Sequence, residues 1–340
     1  MKKTIIGLLT GLALLSFISC KGEVESGGGS GSGGGGGGNS STPYTKVGTQ
    51  TIGETKYDIV TFGSFPQSEK TSTVSITSET KIVGSFTYYK GDDNEWYAEL
   101  NSKYYKVEPI KWRVLTTDYD HDGKASTPGK KFLLAENILI NCMYYDYDVN
   151  RTIGIATVYS NNYEHSMVRA FLNGFSYQKK ESDSANQEPD EVFVNKGFFQ
   201  TAFTQAEQDA IAATTVINNA RSTFPDSTLW NGEDNPYAGD PTEDKIFLLS
   251  EQESTKAEYG FAAYDTDVTG NTRIRMTTAF AKENGANQNS TAGYGGYWWL
   301  RSPDAEYSNI ALCVYSSGIE SIRKGVCIDY IGVVPALCLK

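Results

Sequence analysis

Apolar and polar residues alternate in short runs over both ends of the chain, the period-2 pattern of half-buried strands. Tyr57-Asp-Ile-Val-Thr-Phe62 leads into a turn at Gly63. Tyr104 to Thr117, which contains Ile110-Lys-Trp112-Arg-Val-Leu115, and Lys131 to Leu139 read as two strands joined by a polar loop. The middle changes to helical signals. Ser166 can cap a helix through Leu172 that Gly174 stops. Thr204-Gln-Ala-Glu207 is a capping box, with its helix running on through Ile211, and Ser250-Glu-Gln-Glu253 repeats the device with Gly260 as the stop. A further helix is expected from Thr277 or Thr278 to Asn284, and Lys179–Glu191 and Thr223–Thr242 read as polar loops. After Tyr297–Pro303 come Asn309–Ser316, a turn at Ser317-Gly318, Ile319–Arg323, Gly325–Tyr330 and Val333–Leu339, a meander of hairpins. Strands and helices do not alternate as βαβ units. The expected class is therefore α+β, with antiparallel sheets, a few helices and polar insertions.

The N-terminus adds a compartment. Lys2 and Lys3 precede an apolar run from Ile5 to Ile18, too short to span a bilayer comfortably and suited to a signal-peptide core. It ends in Phe17-Ile18-Ser19-Cys20, a loose lipobox, so residues 1–19 are expected to be a signal peptide and Cys20 a lipidated cysteine. Ser26–Ser41 is almost pure Gly and Ser, which buries no apolar surface. Residues 20–45 then form the lipidated cysteine and a leash, whose stretch from Lys21 to Pro43 reaches on the order of 25 Å. No Lys-Ser/Thr ending marks it as a phosphate loop. Residues 46–340 are the expected folded domain, and the membrane is touched through the anchor only, at the cell surface and outer membrane.

Composition narrows the chemistry. The net charge is −11, or −13 without Lys2 and Lys3, which disfavours nucleic acid as a partner. Cys142, Cys313, Cys327 and Cys338 show no CxxC pair, and His121 and His165 are isolated, so no zinc site, disulfide framework or imidazole centre follows. No cofactor and no enzymatic activity are expected. A monomer on a leash is the default state.

Several motifs together resemble a family. They are Phe62-Gly63-Ser64-Phe65-Pro66-Gln67, Lys111-Trp112-Arg113-Val114-Leu115, Phe171-Leu172-Asn173, Asp244–Ser250, Trp298-Trp299-Leu300-Arg301-Ser302-Pro303 and Gly332-Val-Val-Pro335-Ala-Leu337. Residues 46–340 resemble variable lipoproteins of the treponemal type, which diversity-generating retroelements rewrite. The resemblance implies a C-type lectin fold in the variant shared with formylglycine-generating enzymes. Val334 departs from it, since the family usually shows Arg there.

The resemblance also implies a variable region at about 298–340 and an unknown extracellular ligand, protein or glycan. Adenine rewriting of Asn codons reaches Asn, Asp, Tyr, Ser, Cys, Ile, Arg, Gly and Ala, but not Glu, Lys, Gln, Met or Trp. The candidate variable, ligand-binding positions are thus Asp304, Tyr307, Ser308, Asn309, Cys313, Tyr315, Ile319, Ser321, Cys327, Asp329 and Tyr330, with Glu306, Glu320 and Lys324 as frame. In Ala311–Ser316, Cys313 and Tyr315 share one strand face and Leu312 and Val314 the other. Sequence leaves open which face is outward; the candidate set takes Cys313 and Tyr315. Tyr offers large contact area with few rotors to freeze. Trp298 and Trp299 fit either stacking platforms or, preferably, core aromatics.

Four alternatives stand beside this reading. A calcium-dependent glycan-binding lectin needs two ligand triplets; Glu188-Pro189-Asp190 resembles one, and Trp230-Asn231-Gly232 comes nearest to the other. Asp118, Asp120 and Asp122 with Gly123 match the first half of a calcium loop, but position twelve is Gly129. Formylglycine chemistry would have to use Cys313 and Cys327, with no acid, base or metal set nearby. A structural envelope lipoprotein leaves the Tyr-rich end unexplained.

Overall fold

The computed structural model describes residues 43–119, 130–153, 156–177, 192–218, 235–262, 272–320 and 322–340. The signal peptide, Cys20, the Gly/Ser tract, Asp120, Asp122, Ser321 and both lectin-like triplets lie outside these residues. So does most of the two polar insertions. Strands run in the order β1 (Thr45–Ile52), β2 (Thr55–Glu69), β3 (Ile76–Val83), β4 (Phe86–Gly91), β5 (Trp96–Leu100), β6 (Lys103–Tyr119), β7 (Lys130–Ala135), β8 (Asn137–Ile138), β9 (Ile140–Asn141), β10 (Arg151–Ile153) and β11 (Ala156–Val158). Then come β12 (Thr214–Val216), β13 (Thr242–Asp244), β14 (Ile246–Phe247), β15 (Met276–Thr277), β16 (Trp298–Pro303), β17 (Ile310–Val314), β18 (Ile322–Gly325), β19 (Gly332–Val333) and β20 (Ala336–Leu339).

The α+β expectation, and the lectin architecture attached to it, is corrected to a predominantly β structure. Strands take 44% of the described residues and helices 12%. The reason lies in helix length. Every expected helix forms with its expected cap, Ser166, Thr204, Ser250 or Thr278, but each has only four to seven residues. One or two turns cannot present a stripe wide enough to make a layer of their own. They serve as corners between strands instead.

Two sheets hold most of the described strand residues. The larger runs β14-β20-β7-β6-β5-β4-β3, with β2 on β6 and β1 on β2. The long β6 pairs with β2 along one stretch (Ile59 opposite Arg113, Glu69 opposite Tyr105) and with both β5 and β7. The smaller sheet runs β18-β17-β16-β19-β9 and contains a parallel pair, β16 with β19. A simple meander is thus excluded. Residues 326–331 form no strand, and the expected strand Val333–Leu339 is two strands in different sheets, parted at Val334-Pro335. The segments β7–β9 and β19–β20 cross between the sheets side by side, with β20 on β7 and β19 on β9. One apolar cluster spans both sheets, from Leu133 and Leu337 to Trp298 and Val333.

The expected turn at Gly63 is a bulge within β2, where the register with β6 slips between Thr61 and Ser64. Gly63 adopts φ 67°, and its N–H donates to Glu207 Oε1 at 3.0 Å, tying β2 to the Thr204–Glu207 capping box. A Cβ there would lie 2.5 Å from the Phe203 ring and 2.8 Å from the Ala202 carbonyl. Gly63→Ala is expected to cost about 1–2 kcal/mol for the left-handed backbone and about 1–3 kcal/mol for the clash. Urea denaturation measures it; a loss under about 1 kcal/mol would show that Phe203 simply gives way.

Candidate ligand-binding surface

Strand β16 carries the Trp-Trp-Leu-Arg-Ser-Pro motif and is buried along its whole length, so it packs on both faces rather than alternating. Trp298 and Trp299 are both 0% exposed, which places them in the core and not on a platform. Their indole N–H groups donate to the Arg273 and Cys142 carbonyls at 3.1 and 3.0 Å. Arg301 is equally buried and pairs with Glu253, which also accepts from the Tyr119 hydroxyl at 2.8 Å. Burial disfavours the Arg301 charge, but Glu253 outweighs it and holds the guanidinium above its ordinary pKa.

The Cys313 face of β17 is not outward. Cys313 is 0% exposed and stands opposite Trp299, which Tyr144 covers edge-on at 5.5 Å. Leu312 and Val314 on the other face are buried too, so both sides of β17 are packed. The expectation of an exposed Cys313 is corrected: neighbours cover its side of the strand, and burial pushes its thiol up to about 12. Such a thiol is a packing group, not a nucleophile. Asp304 is also buried. Its Oδ1 accepts from the Glu306 and Tyr307 amides, each at 2.9 Å, and its Oδ2 pairs with Arg323 Nε at 2.7 Å. That carboxylate shapes the 304–307 turn from within.

The other candidates lie nearer the surface. Tyr307 is 52% exposed and Asp329 is exposed, while Ser308, Asn309, Tyr315, Ile319, Cys327 and Tyr330 are half-buried. Tyr315 and Tyr330 converge on Tyr297, with ring centroids 4.6 and 5.9 Å away, and Lys324 Nζ sits 5.4 Å from the Tyr297 ring. Tyr307 belongs to a second patch with Glu306 and Arg323, which pair at 2.8 Å. Tyr297 and Lys324 were missed from sequence. Lys324 was assigned to the frame, and Tyr297 reads as part of the buried tryptophan motif it precedes.

Buried polar groups hold both patches. The turn after Tyr315 closes through Gly318 N–H to the Tyr315 carbonyl at 2.9 Å, with Gly318 at φ 86°. Arg273, 0% exposed, donates to the Gly318 carbonyl at 2.7 Å and pairs with Glu320 at 2.5 Å. The 304–310 loop is clamped by Asn161, whose Nδ2 reaches the Tyr307 and Ile310 carbonyls at 2.9 and 2.8 Å. Among the described residues no group of three His, Cys, Asp or Glu is placed to hold a metal, and Asp118 is exposed.

A family model for a domain of unknown function, DUF6273, matches residues 128–340. The chain belongs to this family. No curated protein and no solved structure matches it. The DUF6273 stretch contains both patches and the whole smaller sheet, whereas β1–β6 lie before it and complete the larger sheet through the β6–β7 pair. No helix among the described DUF6273 residues, or before them, is long and apolar enough to cross a membrane.

Proposed function

We propose that this protein is a surface-displayed, lipid-anchored binding protein whose recognition face is built from the tyrosine-bearing turns near its C-terminal end. The observation that carries the reading is the half-exposed Tyr297–Tyr315–Tyr330 cluster, in which Tyr315 leads into a turn that the buried Arg273–Glu320 pair holds fixed. Aromatic side chains on a rigid support lose little entropy on binding and offer area with a polar tip. The lipobox and the Gly/Ser leash support display at the outer surface. The resemblance to retroelement targets supports diversification, and exposure narrows the variable set to Tyr307, Ser308, Asn309, Tyr315, Ile319, Cys327, Asp329 and Tyr330. Rewriting Cys313 or Asp304 would disturb the packed frame.

The test is a triple variant, Tyr307→Ala, Tyr315→Ala and Tyr330→Ala, compared with the parent on arrays of extracellular proteins and glycans. The variant is expected to stay folded, losing about 1–3 kcal/mol because Tyr315 and Tyr330 are half-buried. Its array signals are expected to vanish; unchanged signals end the assignment of this face. For diversification, the genome should carry a near-copy of the coding segment for residues 298–340, with adenines at those codons, beside a reverse transcriptase.

A further inference from the structure

The Lys111-Trp112-Arg113 motif, which the C-terminal surface does not use, borders a cleft of about 900 Å³. Alternation along β6 sends Trp112 into the core, where its indole donates to the Phe62 carbonyl at 2.7 Å, and puts Lys111 and Arg113 on the opposite face. Val47, Ile52 and Ile59 of the β1–β2 ribbon line the cleft, with Ile274, Met276 and Tyr294 from the second half of the chain. The lining also includes Gln50, Asn137, Glu136 and Ser317. The volume falls within the range of small-molecule sites.

The charge at this cleft runs against that of the chain. Arg113 is 2% exposed and holds Glu136 bidentately at 2.6 and 3.1 Å, while its third arm donates to the Thr272 carbonyl at 2.7 Å. Arg275 is buried beside this pair and donates to the Ala135, Thr272 and Ile274 carbonyls, and its Nη2 has no hydrogen-bond partner among the described residues. Burial, then Arg113, lowers the Arg275 pKa to about 9. Burial opposes the Glu136 charge, but Arg275 and Arg113 outweigh it and hold this carboxylate below its ordinary range. Two buried guanidiniums thus face one carboxylate. Lys111, exposed and in no ion pair among the described residues, adds a further positive charge in a protein of net charge −11. Arg275 lies behind the wall and does not line the cleft, so its charge acts there only at a distance, favouring an anion over a cation.

We propose that this cleft binds a small organic monoanion, a carboxylate carried on an apolar or aromatic body, with Lys111 meeting the carboxylate and the isoleucines, Met276 and Tyr294 meeting the body. Glu136 at the wall disfavours a dianion such as phosphate, and each nitrogen of Arg113 is already engaged, which leaves Lys111 as the direct contact. The cleft meets the C-terminal face only at Ser317, and Lys111 lies outside that face.

The test is isothermal titration of the full chain with benzoate, with neutral benzamide and with inorganic phosphate. Benzoate is expected to bind with Kd on the order of 1 mM, as suits a nine-atom fragment. Benzamide and phosphate are expected to bind at least tenfold more weakly. Lys111→Gln, an exposed change that leaves the fold intact, is expected to weaken benzoate by about tenfold. No heat with benzoate, equal binding of benzamide, preference for phosphate, or unaltered binding by Lys111→Gln would each overturn the proposal.

Discussion

Arg301→Met is expected to lower the unfolding free energy by about 3–5 kcal/mol, because it strands the Glu253 carboxylate in the core. Arg301 is 1% exposed and donates to Glu253 and, at 2.7 Å, to the Leu248 carbonyl. Its own backbone is held on both sides, since its N–H reaches the Leu249 carbonyl at 2.8 Å and its carbonyl accepts from Tyr144 at 2.8 Å. Loss of the guanidinium therefore loosens the junction between β16, the helix Glu251–Ser254 and the strand before it. For a domain of this size the melting temperature should fall by about 6–20 °C, read by scanning calorimetry. Arg301→Lys is expected to recover only part of this, because an ammonium cannot serve two carbonyl and carboxylate partners in the guanidinium's plane. A fall of under about 2 °C for Arg301→Met would show that Glu253 is satisfied without it.

Trp299→Ala is expected to be as damaging. The indole is wholly buried, and deleting it leaves a large cavity costing about 3–5 kcal/mol. The Cys142 carbonyl also loses its donor. Trp299→Phe separates the two effects: it keeps most of the volume and is expected to cost about 1–3 kcal/mol, chiefly from the unmet carbonyl. Equilibrium urea unfolding gives both values. If Trp299→Ala left stability within about 1 kcal/mol while removing binding, the residue would be a platform after all.

Local signals were legible in the sequence and long-range ones were not. The four capped helices and the stop at Gly174 are read from a few neighbouring residues, and the structure has each of them, whereas the helix from Ser250 already ends at Thr255 and Gly260 closes a separate 3-10 turn, Ala257–Tyr259. Their brevity was hidden, because it depends on the strands that compete for the same chain. That error produced the wrong fold class. The break at Val334-Pro335 was hidden as well: both halves are apolar, and only pairing with β9 and β7 assigns them to different sheets.

The candidate surface divides in the same way. Tyr307, Tyr315 and Tyr330 lie at or near the surface, as polar-tipped residues in turns should. Cys313 does not, since period-2 alternation tells two faces apart without saying whether either meets water. The basic cluster around the cleft was missed entirely. Thr272-Arg273-Ile274-Arg275-Met276 alternates charged and apolar residues, which reads as a half-exposed strand. Both arginines point inward instead, because backbone carbonyls from distant segments receive them.

The pairing of β20 between β7 and β14 has a consequence for how a ribosome-borne chain matures. Ala336–Leu339 occupy an interior slot of the larger sheet, so that sheet cannot close before this segment has been made. A frameshift or stop anywhere upstream of Ala336 removes a strand flanked on both sides and leaves the larger sheet open, a product for proteolysis.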